Sequence, residues 1–198
     1  MIKEDLYQFD DEQRERFGII CGVDEAGRGP LAGPVCCAAV ILPSDIRFEW
    51  LDDSKKVTPK RREKLFDEIK TNALAFHIEL VDNDTIDSIN ILQATMLGMK
   101  KCIEALQCDQ ALIDGNSVPN SNVPCTSIIK GDSKSASIAA ASVLAKVTRD
   151  RYMDRLAEEY PQYGFDKNKG YPTKSHYEAI RTYGPTKFHR KTFLRKIH

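Results

Sequence analysis

The chain has 198 residues, with 29 Lys and Arg against 29 Asp and Glu for a formal net charge of +0, 41% hydrophobic and 29% charged residues. Such a length and composition suit one compact globular domain with a small appendage, and the absence of repeats or biased tracts excludes solenoid and low-complexity architectures. The longest apolar runs, such as Val35 to Leu42, are strand-sized and too short for a bilayer, and Met1-Ile2-Lys3-Glu4-Asp5 offers no apolar signal core, so a cytoplasmic location is expected.

Residues 1 to about 17 are polar with scattered aromatics and predict a short surface helix. Ile19 to Val23 reads as a buried strand, and Val35 to Leu42 as a second one, joined to the first through a Gly/Pro turn. That turn is too short for a crossover helix, so the two strands should be antiparallel and the sheet mixed. Thr58-Pro59 starts a helix with one apolar stripe of Leu65, Phe66, Ile69 and Ala73, and Ala75 to Val81 reads as a third strand. Leu92, Met96, Met99, Ile103 and Leu106 step by four and three, the spacing of an amphipathic helix. Ala111 to Ile113 is a short strand ending in Asp114, and Ser127 to Ile129 another, just before Asp132. Lys134 to Tyr160 predicts one helix roughly 37 Å long at 1.5 Å per residue, its first half small and apolar nearly all round and therefore buried. A Gly/Asn/Lys loop follows Pro161, then a helix near Ser175 to Thr182, then a basic tail. Alternating strands and helices indicate an α/β domain.

Charge is unevenly laid out. Lys55 to Lys64 holds six bases and one acid, Lys187 to His198 five Lys and Arg and no acid, and Ile78 to Met99 four acids and no base. Basic stretches on a neutral protein still bind phosphates, although each is equally readable as a solvated helix face. The six cysteines show no C-x-x-C spacing, which argues against zinc and for small buried apolar residues, with Cys36 and Cys37 on opposite faces of their strand.

The most informative segment is Asp24-Glu25-Ala26-Gly27-Arg28-Gly29-Pro30-Leu31-Ala32-Gly33-Pro34. Carboxylates hold hard divalent cations, and bare backbone beside an arginine can come close to a phosphate or sugar. Metal and phosphate handling in one turn points to chemistry on a nucleic-acid backbone. The same segment resembles the signature of the type 2 ribonucleases H, of the bacterial ribonuclease HII kind. Asp53-Ser54-Lys55-Lys56 with Thr58 to Glu63, Ile113-Asp114-Gly115-Asn116, Lys130-Gly131-Asp132, the run from Ser137 to Asp150, and Gly170-Tyr171-Pro172 agree in kind and order. Ribonuclease HIII differs at the first motif, usually with Ser for Ala26 and Lys for Arg28, and carries an N-terminal domain that this chain has no room for.

The resemblance implies an α/β ribonuclease H-like fold, a five-stranded mixed sheet flanked by helices with a helical C-terminal segment. The expected division is a short extension at 1–17, a catalytic domain at 18–160 and a helical, basic segment at 161–198. It further implies an endonuclease acting on the RNA strand of RNA–DNA hybrids and on the 5′ side of single ribonucleotides in duplex DNA. Asp24, Glu25, Asp114 and Asp132 sit at or just after predicted strand ends, where α/β sheets bind ligands. Two Mg²⁺ ions, with Mn²⁺ as substitute, would relieve their mutual repulsion. Neighbours in a regular strand face opposite ways, so Asp24 and Glu25 can share one site only if the strand ends or bulges there. A lone Asp at these positions is otherwise a turn or cap, and Asp132 could cap the following helix.

Carried over from the resemblance, Gly27, Arg28 and Gly29 contact the ribose 2′-hydroxyl and adjoining phosphates, and Tyr171 stacks on the next sugar. Lys55, Lys56, Ser142, Lys146 and Arg190 are further candidates for phosphate contact. His77, His176, His189 and His198 lie outside the acidic motifs, which argues against metal-free catalysis through the 2′-hydroxyl and for 3′-hydroxyl and 5′-phosphate products. The expected partner is nucleic acid, with no membrane, no obligate protein partner and a monomeric chain. The rivals are a nuclease needing several consecutive ribonucleotides, a hybrid-binding module with a decayed metal site, and a dinucleotide-binding domain. The last lacks its G-x-G-x-x-G spacing here.

Overall fold

A five-stranded sheet in the order β3-β2-β1-β4-β5 organises the chain. The computed structural model describes residues 2–52 and 57–194. Its elements are α1 (Glu4–Phe17), β1 (Ile20–Ala26), β2 (Val35–Ile41), α2 (Pro59–Asn72), β3 (Ala75–Val81), α3 (Asn83–Glu104), β4 (Gln110–Asp114), β5 (Cys125–Ile128), α4 (Ala136–Glu159), α5 (Phe165–Asn168), α6 (Lys174–Tyr183) and α7 (Lys191–Leu194). Short 3-10 turns occupy Gly131–Ser133 and Pro161–Tyr163. β1 runs antiparallel to β2 and parallel to β4, β2 antiparallel to β3, and β4 parallel to β5, so the sheet is mixed as the short first turn requires.

Strand alternation divides the core between the two faces. Cys36, Ala38 and Val40 of β2 pack with α4, with Leu65, Phe66 and Ile69 of α2, and with Leu6 and Tyr7 of α1. Cys21 and Val23 of β1, with Cys37, Ala39 and Ile41 of β2, meet Met99, Cys102 and Ile103 of α3 on the other face. The thiols are free and behave as small apolar residues, four of them fully buried. A third cluster joins Leu31 and Ala32 of the glycine-rich turn to Met153 and Leu156 of α4 and to Tyr163, Phe165 and Ile180 of the C-terminal segment. Among the described residues no helix is long and apolar enough to cross a membrane.

Several boundaries differ from expectation, each for a local reason. β1 runs on to Ala26, because β2 keeps pairing with it up to Ala26 and Cys36. β5 comes two residues earlier than expected at its start, in register with β4 from Ala111 and Cys125. α3 begins at Asn83, where the Asp82 carboxylate accepts from the Thr85 N–H at 2.8 Å. It is interrupted at Asn90 (φ 67°), whose Oδ1 accepts from the N–H groups of Leu92 and Gln93. Leu92 therefore sits in a fresh first turn and is exposed rather than part of the buried stripe. The expected loop after Pro161 contains a 3-10 turn and α5.

α4 backs the site and lends it Ser142 and Lys146. Its N-terminus is held by Ser135, whose hydroxyl accepts from the Ile138 N–H, and by Asp10 of α1. The buried Asp10 carboxylate accepts from the Ser135 hydroxyl (2.6 Å) and from both the hydroxyl (2.7 Å) and the N–H (2.8 Å) of Ser137. Asp132 stands one turn earlier, in the 3-10 turn, so it is not the cap of this helix. Gly22 lets α4 lie directly on β1: a Cβ there would fall 2.1 Å from the Ser137 carbonyl carbon.

Candidate active site

Even-numbered residues of β1 and β4 face α4, and this parity builds the centre of the site. Gly22 touches α4, so Asp24 points the same way, while Leu112 packs on Ile138 and Asp114 follows it on the same face. The 3-10 turn after β5 then brings Asp132 alongside. One oxygen from each of Asp24, Asp114 and Asp132 lies within 4.8 Å of the others. Asp24 and Asp132 are buried, and Asp114 is half-buried. Asp114 accepts from the Gly131 N–H at 2.6 Å, which ties the two loops together.

Burial pushes the Asp24 carboxyl well above its ordinary range, and the charges of Glu25 and Asp114 push it further; hydrogen bonds from Ser142 and from the Glu25 N–H oppose this. A desolvated carboxylate beside two others is a poor home for negative charge until a cation arrives. Every donor is a carboxylate oxygen, the preference of Mg²⁺ or Mn²⁺ rather than of a soft metal. The residues therefore fit a hard divalent cation.

Glu25 falls outside this trio. In the ladder Glu25 stands opposite Cys37, one residue before β1 ends, and its charge bears on Asp24. It still lines the same cleft, where its carboxylate lies 3.4 Å from the Arg28 guanidinium. That cleft, about 290 Å³, is lined by Asp24, Glu25, the Gly27-Arg28-Gly29 turn, Ser142, Lys146 and Tyr171. Arg28 and Tyr171 are 49% and 42% exposed, so both are open to a ligand. Lys146 reaches the cleft from α4 while paired with Asp150 at 2.7 Å.

Two expectations need correction or limits. Arg190 is fully buried, and its guanidinium donates to the carbonyls of Gly33 (3.0 Å), Arg28 (2.9 Å) and Gly27 (2.6 Å), so it stands behind the turn and not on a phosphate path. Its bridge to the turn also runs through backbone, the Arg190 N–H donating to the Leu31 carbonyl. The Lys55 and Lys56 assignment lies outside the described residues.

Sequence reasoning missed Arg149. This α4 residue is 1% exposed and donates to the carbonyls of Pro34 (2.9 Å), Lys169 (3.0 Å) and Ala32 (3.1 Å). It packs where a Cβ on Gly27 (φ +96°) would be, only 1.9 Å from its Nε. A lone arginine on the buried side of an apolar helix was the available signal. Also missed was the buried pair His176 and His189, Nε2 to Nε2 at 3.1 Å. The Thr186 N–H donates to His189 Nδ1, so His189 donates through Nε2, and His176 in turn donates from Nδ1 to the Tyr171 carbonyl at 2.9 Å.

A mixed sheet in this order, with carboxylates gathered at the end of its central strands, defines a ribonuclease H-like hydrolase. The ribonuclease HII family model matches residues 21–196. Ribonuclease HII of Caldicellulosiruptor saccharolyticus is 52% identical over 199 residues, 99% of this chain and 97% of the relative, and that of Dechloromonas aromatica is 49% identical over 178 residues, 89% and 91%. Among solved structures, ribonuclease H2 from Pyrococcus horikoshii aligns with a TM-score of 0.71 at 26% identity, covering 90% of this chain and 96% of that one. The RNase HII of an Archaeoglobus fulgidus PCNA complex aligns at 0.75 and 25% identity, covering 87% and 94%. The chain belongs to the ribonuclease HII family, and its enzymatic class is ribonuclease H.

Proposed function

We propose that this protein is a divalent-cation-dependent endonuclease that hydrolyses the RNA strand of RNA–DNA hybrids and cuts 5′ of single ribonucleotides in duplex DNA. The observation that carries this reading is the convergence of Asp24, Asp114 and Asp132 beside the glycine-flanked Arg28. Those three acids would hold two Mg²⁺ ions, or Mn²⁺ in their place, with Glu25 as the fourth acid of the cleft. When bound, the ions activate the attacking water and stabilise the leaving 3′-oxygen.

The chain's own residues do the rest. Arg28 and Lys146 meet phosphates beside the acids. The backbone of Gly27 to Gly29 reads the 2′-hydroxyl, the group that separates RNA from DNA. Tyr171, across the cleft, packs its ring on the next sugar. Ser142 holds Asp24 by a hydrogen bond. Among the described residues no histidine lines the cleft, which supports water over the 2′-hydroxyl as nucleophile and hence 3′-hydroxyl and 5′-phosphate ends. In the cell such cleavage would serve ribonucleotide removal and primer clearance. The catalytic body would be residues 18–160, with the 161–198 segment contributing Tyr171.

The test is a labelled DNA duplex with one ribonucleotide, incubated with Mg²⁺ or with EDTA. A Mg²⁺-dependent cut on the 5′ side of the ribonucleotide with a 3′-hydroxyl end is expected. Cleavage only within runs of ribonucleotides, a cyclic phosphate product, or full activity in EDTA would overturn the proposal.

A further inference from the structure

We infer that Arg190 is a positioning residue for ribonucleotide recognition: from behind the glycine-rich turn it holds two peptide planes so that the Arg28 and Gly29 amides face the cleft. This rests on the reading of that turn as the sensor of the 2′-hydroxyl.

Peptide geometry fixes the direction of these amides. No peptide bond in the described chain is cis. In a planar trans peptide the carbonyl of one residue and the N–H of the next point in opposite directions. The Gly27 and Arg28 carbonyls both point at the Arg190 guanidinium, at 2.6 and 2.9 Å. The N–H groups of Arg28 and Gly29 therefore point away from it. Arg190 is fully buried and does not line the cleft, whereas Gly27, Arg28 and Gly29 do. Among the described residues neither of these two N–H groups donates to a protein acceptor. Two adjacent donors in the turn that lines the cleft are thus left for a ligand oxygen.

The choice of arginine fits this role. A planar fork can bind the carbonyls of Gly27, Arg28 and Gly33 at once, which an ammonium cannot do with the same rigidity. Its direct partners are these three carbonyls, with the Asp87 charge acting at longer range, so the cation polarises the amides on the carbonyls' far side. Burial, with the nearby Arg149 charge, lowers Arg190 to about 9, so it remains a cation at neutral pH. Arg149 braces the next stretch, at Ala32 and Pro34, and lies 5.9 Å from the Tyr171 ring centre.

The experiment compares wild type with Arg190→Lys, which keeps the charge but loses the fork. Three quantities are read: Mn²⁺ affinity, cleavage of a duplex with one ribonucleotide, and relative binding of that duplex and its all-DNA counterpart in the presence of Ca²⁺. The expected result is unchanged Mn²⁺ affinity, cleavage lower by about 100-fold, and loss of most of the preference for the ribonucleotide. An Arg190→Lys enzyme that keeps the wild-type preference overturns the inference. A second measurement needs no variant: NMR hydrogen exchange of the Arg28 and Gly29 amides in the wild-type protein. Fast exchange in the free protein, slowed by the ribonucleotide duplex and not by DNA, supports the inference, and amides already protected in the free protein overturn it. If wild type itself shows no preference for the ribonucleotide, the proposed function fails first, before any variant is considered.

Discussion

Asp24 and Asp114 follow the registered pair Val23 and Ile113 on neighbouring parallel strands, so both carboxylates reach the same face at the same level. Asp132 joins them from a turn, and their oxygens meet within 4.8 Å. Asp24→Asn removes a desolvated charge without changing shape. We expect Asp24→Asn and Asp132→Asn to fold normally, to bind Mn²⁺ more weakly, and to lose activity by about 100-fold or more. Circular dichroism and single-turnover cleavage check this; wild-type rates at saturating Mg²⁺ would remove the residue concerned from the metal site.

The two glycines of the turn should respond differently to alanine. At Gly27 a Cβ meets Arg149 at 1.9 Å and φ is +96°, so Gly27→Ala should destabilise the fold by about 1–3 kcal/mol. At Gly29 the nearest atom is Tyr171 Cε1 at 3.6 Å, an ordinary contact, so Gly29→Ala should change stability by no more than about 0.5 kcal/mol. That methyl nevertheless enters the space between turn and ring where a sugar would pass. Urea melts combined with cleavage assays should show a stability defect in the first variant and an activity defect alone in the second.

Tyr171 lines the cleft and is 42% exposed. Tyr171→Ala should leave the melting temperature nearly unchanged and reduce cleavage of DNA holding one ribonucleotide. Full activity of this variant on that substrate would exclude the stacking role.

The buried histidine pair makes stability depend on pH. Burial, with the neighbouring His176, pushes His189 down to about 4, and burial also lowers His176. Between about pH 6.5 and pH 4 the unfolded chain binds protons that the folded chain refuses, so stability is complete above this window and falls as pH falls through it. For His189 alone the loss from pH 7.5 to pH 5 is about 2 kcal/mol. Denaturant titrations of wild type and His189→Gln at the two pH values should show a smaller pH dependence in the variant.

Lys146 lines the cleft and pairs with Asp150 on its own helix. If it meets a phosphate, Lys146→Gln should lower the slope of log affinity against log salt by about one unit, without altering ribonucleotide preference. An unchanged slope would leave it as a helix-stabilising ion pair.

Much of the fold was legible along the chain. The third strand was read with both ends correct, the antiparallel first pair followed from a turn too short to cross over, and the all-round apolar half of α4 implied its burial. Asp24, Asp114 and Asp132 could be picked as candidates from their places near strand ends. Less legible was the first half of α3, a polar stretch with no apolar period, begun by Asp82 and broken at Asn90. The partners of Asp10 at Ser135 and Ser137, and those of Arg149 at Ala32 and Pro34, were silent for a different reason: they lie more than a hundred positions away.

Sequence alone thus determined what depends on neighbours in the chain: strand and helix periods, the turn, and the acid, glycine and arginine types that metal and phosphate chemistry requires. Tertiary structure alone decided that Asp24, Asp114 and Asp132 meet, because the strand order and the turn after β5 bring together residues far apart in sequence. It also decided that Arg190, a basic residue in a basic tail, faces inward onto carbonyls. A side chain's direction and partners are set by the packing of distant segments, and no local pattern encodes them.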